Sequence, residues 1–154
     1  MKHTIVAKVD NKPGVVSRIS GLFTRRGYNI EGLVTSVTDD PKIYHLTITV
    51  LCTEEELELL LSQLQRIAEV IEVKAADHIP HVTRELMLIR IKCGENKTVV
   101  LQLAEFLKCK IVGASDDTVI LEATGDDSRL QTVINALKEY ELETVRSGSL
   151  SILI

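Results

Sequence analysis

From His3 to Asp10 the chain alternates: His3, Ile5, Ala7 and Val9 on one side, Thr4, Lys8 and Asp10 on the other. A period of two marks a half-buried strand. From Pro13 to Arg26 the period changes, with Val15, Ile19, Leu22 and Phe23 at helical spacing before Gly27 ends the run. Tyr28 to Val37 reads as a second strand, Asp39-Asp40-Pro41 as a turn, and Tyr44, Leu46, Ile48 and Val50 as the inward side of a third strand. Thr53-Glu54-Glu55-Glu56 has the form of a capping box, and Leu57, Leu60, Leu61, Leu64 and Ile67 give the helix behind it an apolar face. Val70 to Ala75 is a short fourth strand, so the order is βαββαβ.

Asp77-His78-Ile79-Pro80-His81 interrupts both periods, and the order then repeats. Leu86 to Cys93 is a strand. Asn96 to Leu107 is a helix with Val99, Val100, Leu103, Phe106 and Leu107 assigned to one side. Strands at Lys110 to Ala114 and Thr118 to Thr124 flank Ser115-Asp116-Asp117. Asp126 to Lys138 is a helix with Leu130, Val133, Ile134 and Leu137 inward, and extended segments at Leu142 to Val145 and Leu150 to Ile154 finish the chain. The fold class is therefore α+β: two tandem ferredoxin-like βαββαβ units over residues 1–77 and 83–154, joined by a linker at 78–82. In this topology the second strand of each unit lies at a sheet edge, where its unpaired backbone groups invite a second strand.

Composition narrows the function classes. A net charge of −4 without a basic stripe, and 3% aromatic residues, argue against a nucleic-acid partner. No apolar run has the length of a membrane span. The opening residues enter a strand directly, so no leader is expected and the expected location is cytoplasmic. Cys52, Cys93 and Cys109 are scattered in apolar surroundings and read as reduced core thiols, with no CxxC pair for a metal. His78-x-x-His81 reads as a solvated linker, because no further ligand joins it. No nucleophile–base set or phosphate-binding loop is present, and the arginines that an acylphosphatase would need in a loop fall on a helix.

The stretch Asp10-Asn11-Lys12-Pro13-Gly14-Val15-Val16-Ser17-Arg18-Ile19 joins the first strand to the first helix. Pro13 suits the first turn of a helix, and Gly14 allows close approach to the backbone. A helix beginning here presents unpaired N–H groups and a partial positive charge, enough to receive a small carboxylate. By its residues alone the stretch fits an ordinary strand-to-helix turn as well.

Asn11-Lys12-Pro13-Gly14-Val15-Val16-Ser17-Arg18-Ile19, Gly21-Leu22-Phe23, Arg26-Gly27-Tyr28-Asn29-Ile30-Glu31 and Thr38-Asp39-Asp40 resemble the opening of the small regulatory subunits of acetohydroxyacid (acetolactate) synthase, within the ACT-domain superfamily. The similarity continues through His81-Val82-Thr83-Arg84-Glu85-Leu86-Met87-Leu88-Ile89 and returns at Val145-Arg146-Ser147-Gly148. The resemblance implies that the first unit is an amino-acid-sensing ACT domain which dimerises through its second strand. It implies no catalysis and no cofactor in this chain. The partner would be a catalytic subunit, a transferase that uses thiamine diphosphate, magnesium and FAD in branched-chain amino acid biosynthesis. The small subunit would activate that partner and confer feedback inhibition by valine.

Asn11, Gly14 and Asn29 fall on the family's valine-binding positions. In chemical terms, the carboxylate suits the N–H groups of Gly14, Val15 and Val16, and the ammonium suits the Asn11 side-chain oxygen. Val15, Val16 and Ile30 are expected to line an apolar side-chain pocket, and Asn29, placed on the edge strand, to reach in from a second copy. Asn11 and Asn29 equally fit as turn and boundary residues. The alternative reading is a free-standing ACT sensor that controls another enzyme or a transcription factor.

Overall fold

A computed structural model describes residues 1–154. The elements are β1 (Lys2–Asp10), α1 (Val15–Arg25), β2 (Ile30–Val37), β3 (Ile43–Leu51), α2 (Glu54–Leu64), β4 (Val70–Ala75), β5 (His81–Lys92), α3 (Lys97–Phe106), β6 (Lys110–Ala114), β7 (Thr118–Gly125), α4 (Asp127–Leu137), β8 (Glu141–Arg146) and β9 (Leu150–Leu153). A single 3₁₀ turn, Gly94–Asn96, precedes α3. Contacts divide the chain into two units, Met1–Val82 with Ser149–Ile154, and Thr83–Gly148.

The first unit is an antiparallel sheet in the order β2-β3-β1-β4. One face carries Ile5, Ala7 and Val9 of β1 and Leu46, Ile48 and Val50 of β3, which pack with Val15, Ile19 and Phe23 of α1 and Leu57, Leu60 and Leu64 of α2. Two-residue alternation on the strands thus meets three- and four-residue spacing on the helices. Phe23 is fully buried in this core. α2 starts with the reciprocal cap read from its sequence: Thr53 Oγ1 accepts from the Glu56 N–H (3.3 Å), and the Thr53 N–H donates to Glu56 Oε2 (2.8 Å). Thr53→Ala removes one of these bonds and is expected to cost about 1 kcal/mol of stability, read from denaturant unfolding.

The second sheet has five strands: β6-β7-β5-β8 repeats the order of the first sheet, and β9 pairs with β5. Its core joins Met87, Ile89 and Ile91 of β5, Val119, Leu121 and Ala123 of β7, Val100 and Ala104 of α3, and Leu130, Val133 and Leu137 of α4. All three cysteines are buried and unpaired by disulfides.

Three features depart from the sequence pattern. By their contacts residues 149–154 group with the first unit, yet β9 pairs with β5 as a fifth strand of the second sheet. Gly148, at φ 89°, turns the chain, after which the Ser151 N–H donates to Thr47 Oγ1 (3.2 Å) and the Ile154 N–H to the Pro80 carbonyl (2.8 Å). β5 begins at His81, inside the expected linker, because the turn over residues 76–79 is complete by Pro80. On α3, Val99 and Phe106 face solvent, and the buried pair is Val100 and Ala104. A stripe four residues apart is enough to cover the sheet, and it leaves the flanking apolar positions outside.

Candidate functional site

The connection from β1 to α1 is pinned at several points. The Asn11 N–H donates to the Lys42 carbonyl (2.8 Å), and Asn11 Nδ2 donates to the Pro41 carbonyl (3.0 Å). Those two bonds tie the turn to the start of β3 and leave Asn11 Oδ1 as an acceptor. The Lys12 N–H closes a tight turn on the Asp10 carbonyl at 2.9 Å. Gly14 is the N-cap of α1 and sits at φ 83°, ψ −4°, the left-handed region that a residue without Cβ reaches at least cost. It provides no side-chain cap, and the first turn of α1 contains no acidic residue.

This leaves positive potential exposed. The Val15 N–H makes a long bond to the Lys12 carbonyl (3.4 Å), and those of Val16 and Ser17 have no partner in the turn. Of the expected donors Gly14, Val15 and Val16, the Val15 N–H is engaged within the turn, and Ser17 adds a backbone N–H that its side chain did not signal.

The six residues singled out from the sequence do not all converge in one chain. Asn11 and Gly14 share the turn, and Val16 is half-buried beside it. Val15 is corrected: its side chain is 2% exposed in the core of the first unit and is not available to line a ligand pocket. Its apolar character serves the helix–sheet contact. Asn29 precedes β2 and does not lie on it. The register pairs Ile30 with Val50, and Val50 with His3, so Asn29 and Ile30 lie at the end of the sheet where β1 begins. Asn11 follows Asp10 at the other end, about 23 Å away by the rise of a strand.

β2 is paired on one side only, with β3. Its residues are half-buried or exposed, with Val37 at 83% exposure. Other features of the first unit lie elsewhere. A groove of about 670 Å³, lined among others by Val6, Lys8, His45, Glu72, Lys74 and Ile152, includes none of the six residues. Burial, with the Lys8 charge nearby, pushes the His45 pKa below its ordinary value. His78 and His81 are engaged separately, His78 Nε2 with Glu54 Oε1 (2.8 Å) and His81 Nδ1 with the Ile79 carbonyl (2.8 Å). No group of three or more His, Cys, Asp or Glu side chains is arranged to hold a metal ion. No helix is long and apolar enough to cross a membrane.

Comparison with known proteins accounts for both units. A family model described as the AHAS small subunit-like ACT domain matches residues 5–72, and one described as the small subunit of acetolactate synthase matches residues 84–153. A probable acetolactate synthase small subunit from Archaeoglobus fulgidus is 36% identical over 153 residues, covering 98% of this chain and 96% of that one. The acetolactate synthase small subunit of Aquifex aeolicus is 35% identical over 153 residues, covering 97% of this chain and 80% of that one. The crystal structure of an acetolactate synthase small subunit from Thermotoga maritima superposes with a TM-score of 0.89 at 32% identity, covering 100% of this chain and 98% of that one.

Proposed function

The chain belongs to the family of acetolactate synthase small subunits, and from that premise we propose that it binds a separate catalytic subunit, raises its activity and confers inhibition by valine. The chemistry of condensing two pyruvates, or pyruvate with 2-oxobutyrate, belongs to the catalytic subunit, with its thiamine diphosphate, magnesium and FAD. This chain holds none of those groups in the proposal.

The observation that carries the reading is the β1–α1 turn, with a left-handed Gly14, unpaired N–H groups on Val16 and Ser17, and an Asn11 amide already fixed by Pro41. A zwitterionic amino acid finds there a partner for each pole. Its carboxylate meets backbone donors and the positive end of α1. Its ammonium meets Asn11 Oδ1.

The second half of the site comes from a second copy. Antiparallel pairing of two β2 edges sets the beginning of one strand against the end of the other. The partner's Asn29 and the partner's Ile30 then stand beside Val37 and Thr38, next to the segment that holds Asn11. The 23 Å separation within one chain thereby becomes proximity between two chains. Valine would report on dimer geometry, and it inhibits by binding the less active arrangement of the complex more tightly than the active one. Discrimination among valine, leucine and isoleucine would turn on the placement of a methyl or methylene, worth about 1–3 kcal/mol in an apolar pocket.

Sedimentation of the purified chain at micromolar concentration is expected to give a dimer, and calorimetric titration a saturable valine site. A monomer that binds no valine would remove the proposal. Pull-down of a large thiamine-dependent enzyme tests the partner.

A further inference from the structure

Two ion pairs flank the β1–α1 turn. Lys12 Nζ lies 3.5 Å from Asp10 Oδ2, with Lys12 64% exposed. Arg18 Nη2 pairs with Glu69 Oε1, with Glu69 the more buried of the two. Glu69 is itself fixed to the end of β1, because its carbonyl accepts the Asp10 N–H at 2.8 Å.

The second pair points at the site. A helical side chain leans toward the helix N-terminus, so residue 18 covers the surface above residue 14. Arg18 does so here: its Nη1 lies 3.5 Å from the position that a Cβ on Gly14 would occupy. Glu69 engages Nη2, and a guanidinium carries five N–H donors in a fixed fork, so donors on the Nη1 side remain for a second acceptor. Lys12 has no comparable geometry, since its ammonium is a strongly hydrated point charge held by Asp10 on the solvent side.

We propose that Arg18 binds the carboxylate of the amino-acid effector, with Glu69 holding the guanidinium over Gly14. This rests on the reading of the turn as the effector site and adds the cation that backbone N–H groups alone do not provide. The ligand class is a small α-amino acid whose free carboxylate lies between Arg18 and the N–H groups of Val16 and Ser17.

Breaking the ion pair from each side separates binding from folding. A half-exposed Arg–Glu pair contributes little stability, so Arg18→Gln and Glu69→Gln are expected to fold with similar melting temperatures. Full-length wild type, Arg18→Gln, Arg18→Lys and Glu69→Gln are titrated calorimetrically with valine. Arg18→Gln is expected to weaken valine about tenfold or more, the size of a lost charge-assisted hydrogen bond. Arg18→Lys, which keeps the charge without the fork, falls between it and wild type. Glu69→Gln stays within about threefold of wild type, because the amide oxygen it introduces can still accept from Nη2 and a competing negative charge is gone. A wild type that binds no valine overturns the site reading and this inference together. Wild-type binding left intact by Arg18→Gln overturns Arg18 alone. If Arg18→Gln fails to fold, Arg18→Lys against Glu69→Gln carries the same comparison.

Discussion

Gly14→Asp is expected to abolish valine binding, by roughly a hundredfold or more, while the chain still folds and dimerises. Space is no obstacle: the nearest atom to a Cβ at residue 14, Arg18 Nη1, is at an ordinary 3.5 Å. The backbone at φ 83° does penalise a side chain, by about 1–2 kcal/mol, but Asp is among the non-glycine residues that visit this region most readily. A carboxylate at the start of α1, which has no acidic residue in its first turn, recovers about 0.3–1 kcal/mol from the helix dipole. Net destabilisation is thus about 1 kcal/mol, too small to unfold a domain of this size. Binding fares differently. On the proposed site, the new carboxylate stands where the effector's carboxylate would bind, beside the Val16 and Ser17 N–H groups and the Arg18 guanidinium. Like charges juxtaposed in an interface cost several kcal/mol, and each 1.4 kcal/mol is a tenfold loss. Gly14→Ala separates charge from strain: it bears the backbone penalty without the charge and is expected to keep most of the affinity. Equal loss in both variants would make shape, not charge, the cause. Full valine sensitivity in Gly14→Asp would remove the turn from consideration.

The turn was legible because its requirements are local. Gly14, the proline one residue earlier and a change from period two to period 3.6 all occur within ten residues, although α1 starts at Val15, which leaves Pro13 outside its first turn, and the left-handed conformation of Gly14 was seen only in the structure. The Thr53–Glu56 cap was legible for the same reason. What stayed hidden depends on partners far along the chain. Arg18 and Glu69 are 51 positions apart, and nothing in the spacing of charges pairs them. Val15 presents the same apolar character whether it faces a ligand or the core, and only the packed structure assigns it to the core. The strand pattern of residues 150–153 showed that the segment is extended but not its partner; Gly148 turns the chain, β9 pairs with β5, and the Thr47 hydroxyl and Pro80 carbonyl accept from the Ser151 and Ile154 N–H groups. Asn29 lies beside Asn11 neither in sequence nor in one chain, so its assignment to the site depends on family resemblance and on a second copy.

Two stretches that carry the family resemblance, His81 to Ile89 and Val145 to Gly148, meet in one hydrogen-bond network. Glu85 is 6% exposed and accepts from Arg146 Nε (3.0 Å), Arg146 Nη2 (2.7 Å) and the Gly148 N–H (3.1 Å). Arg146 Nη2 also reaches Asp127 Oδ1 at 2.7 Å, the first residue of α4. Ser147 completes the joint: its N–H donates to the Leu86 carbonyl (2.9 Å), and its Oγ accepts from the Leu86 N–H (3.0 Å). Hydrogen bonds to Glu85 and Asp127 hold the Arg146 pKa above its ordinary value, so the guanidinium stays charged across the accessible pH range. Removing one partner of such a pair leaves the other buried and uncompensated, which costs about 3–5 kcal/mol for a fully buried pair and somewhat less here, where Arg146 is 31% exposed. Glu85→Ala is therefore expected to destabilise the second unit by about 3 kcal/mol, a fall of roughly 10–20 °C in melting temperature. Arg146→Leu removes the same bond from the other side and is expected to cost a similar amount. The double variant decides whether the pair acts as a unit: a cost close to that of either single change gives a coupling of about 2–3 kcal/mol, the upper part of the range for residues in contact. Additive costs would mean that Glu85 and Arg146 stabilise the unit independently, Glu85 through Gly148 and Arg146 through Asp127, and that the two motifs meet without depending on each other.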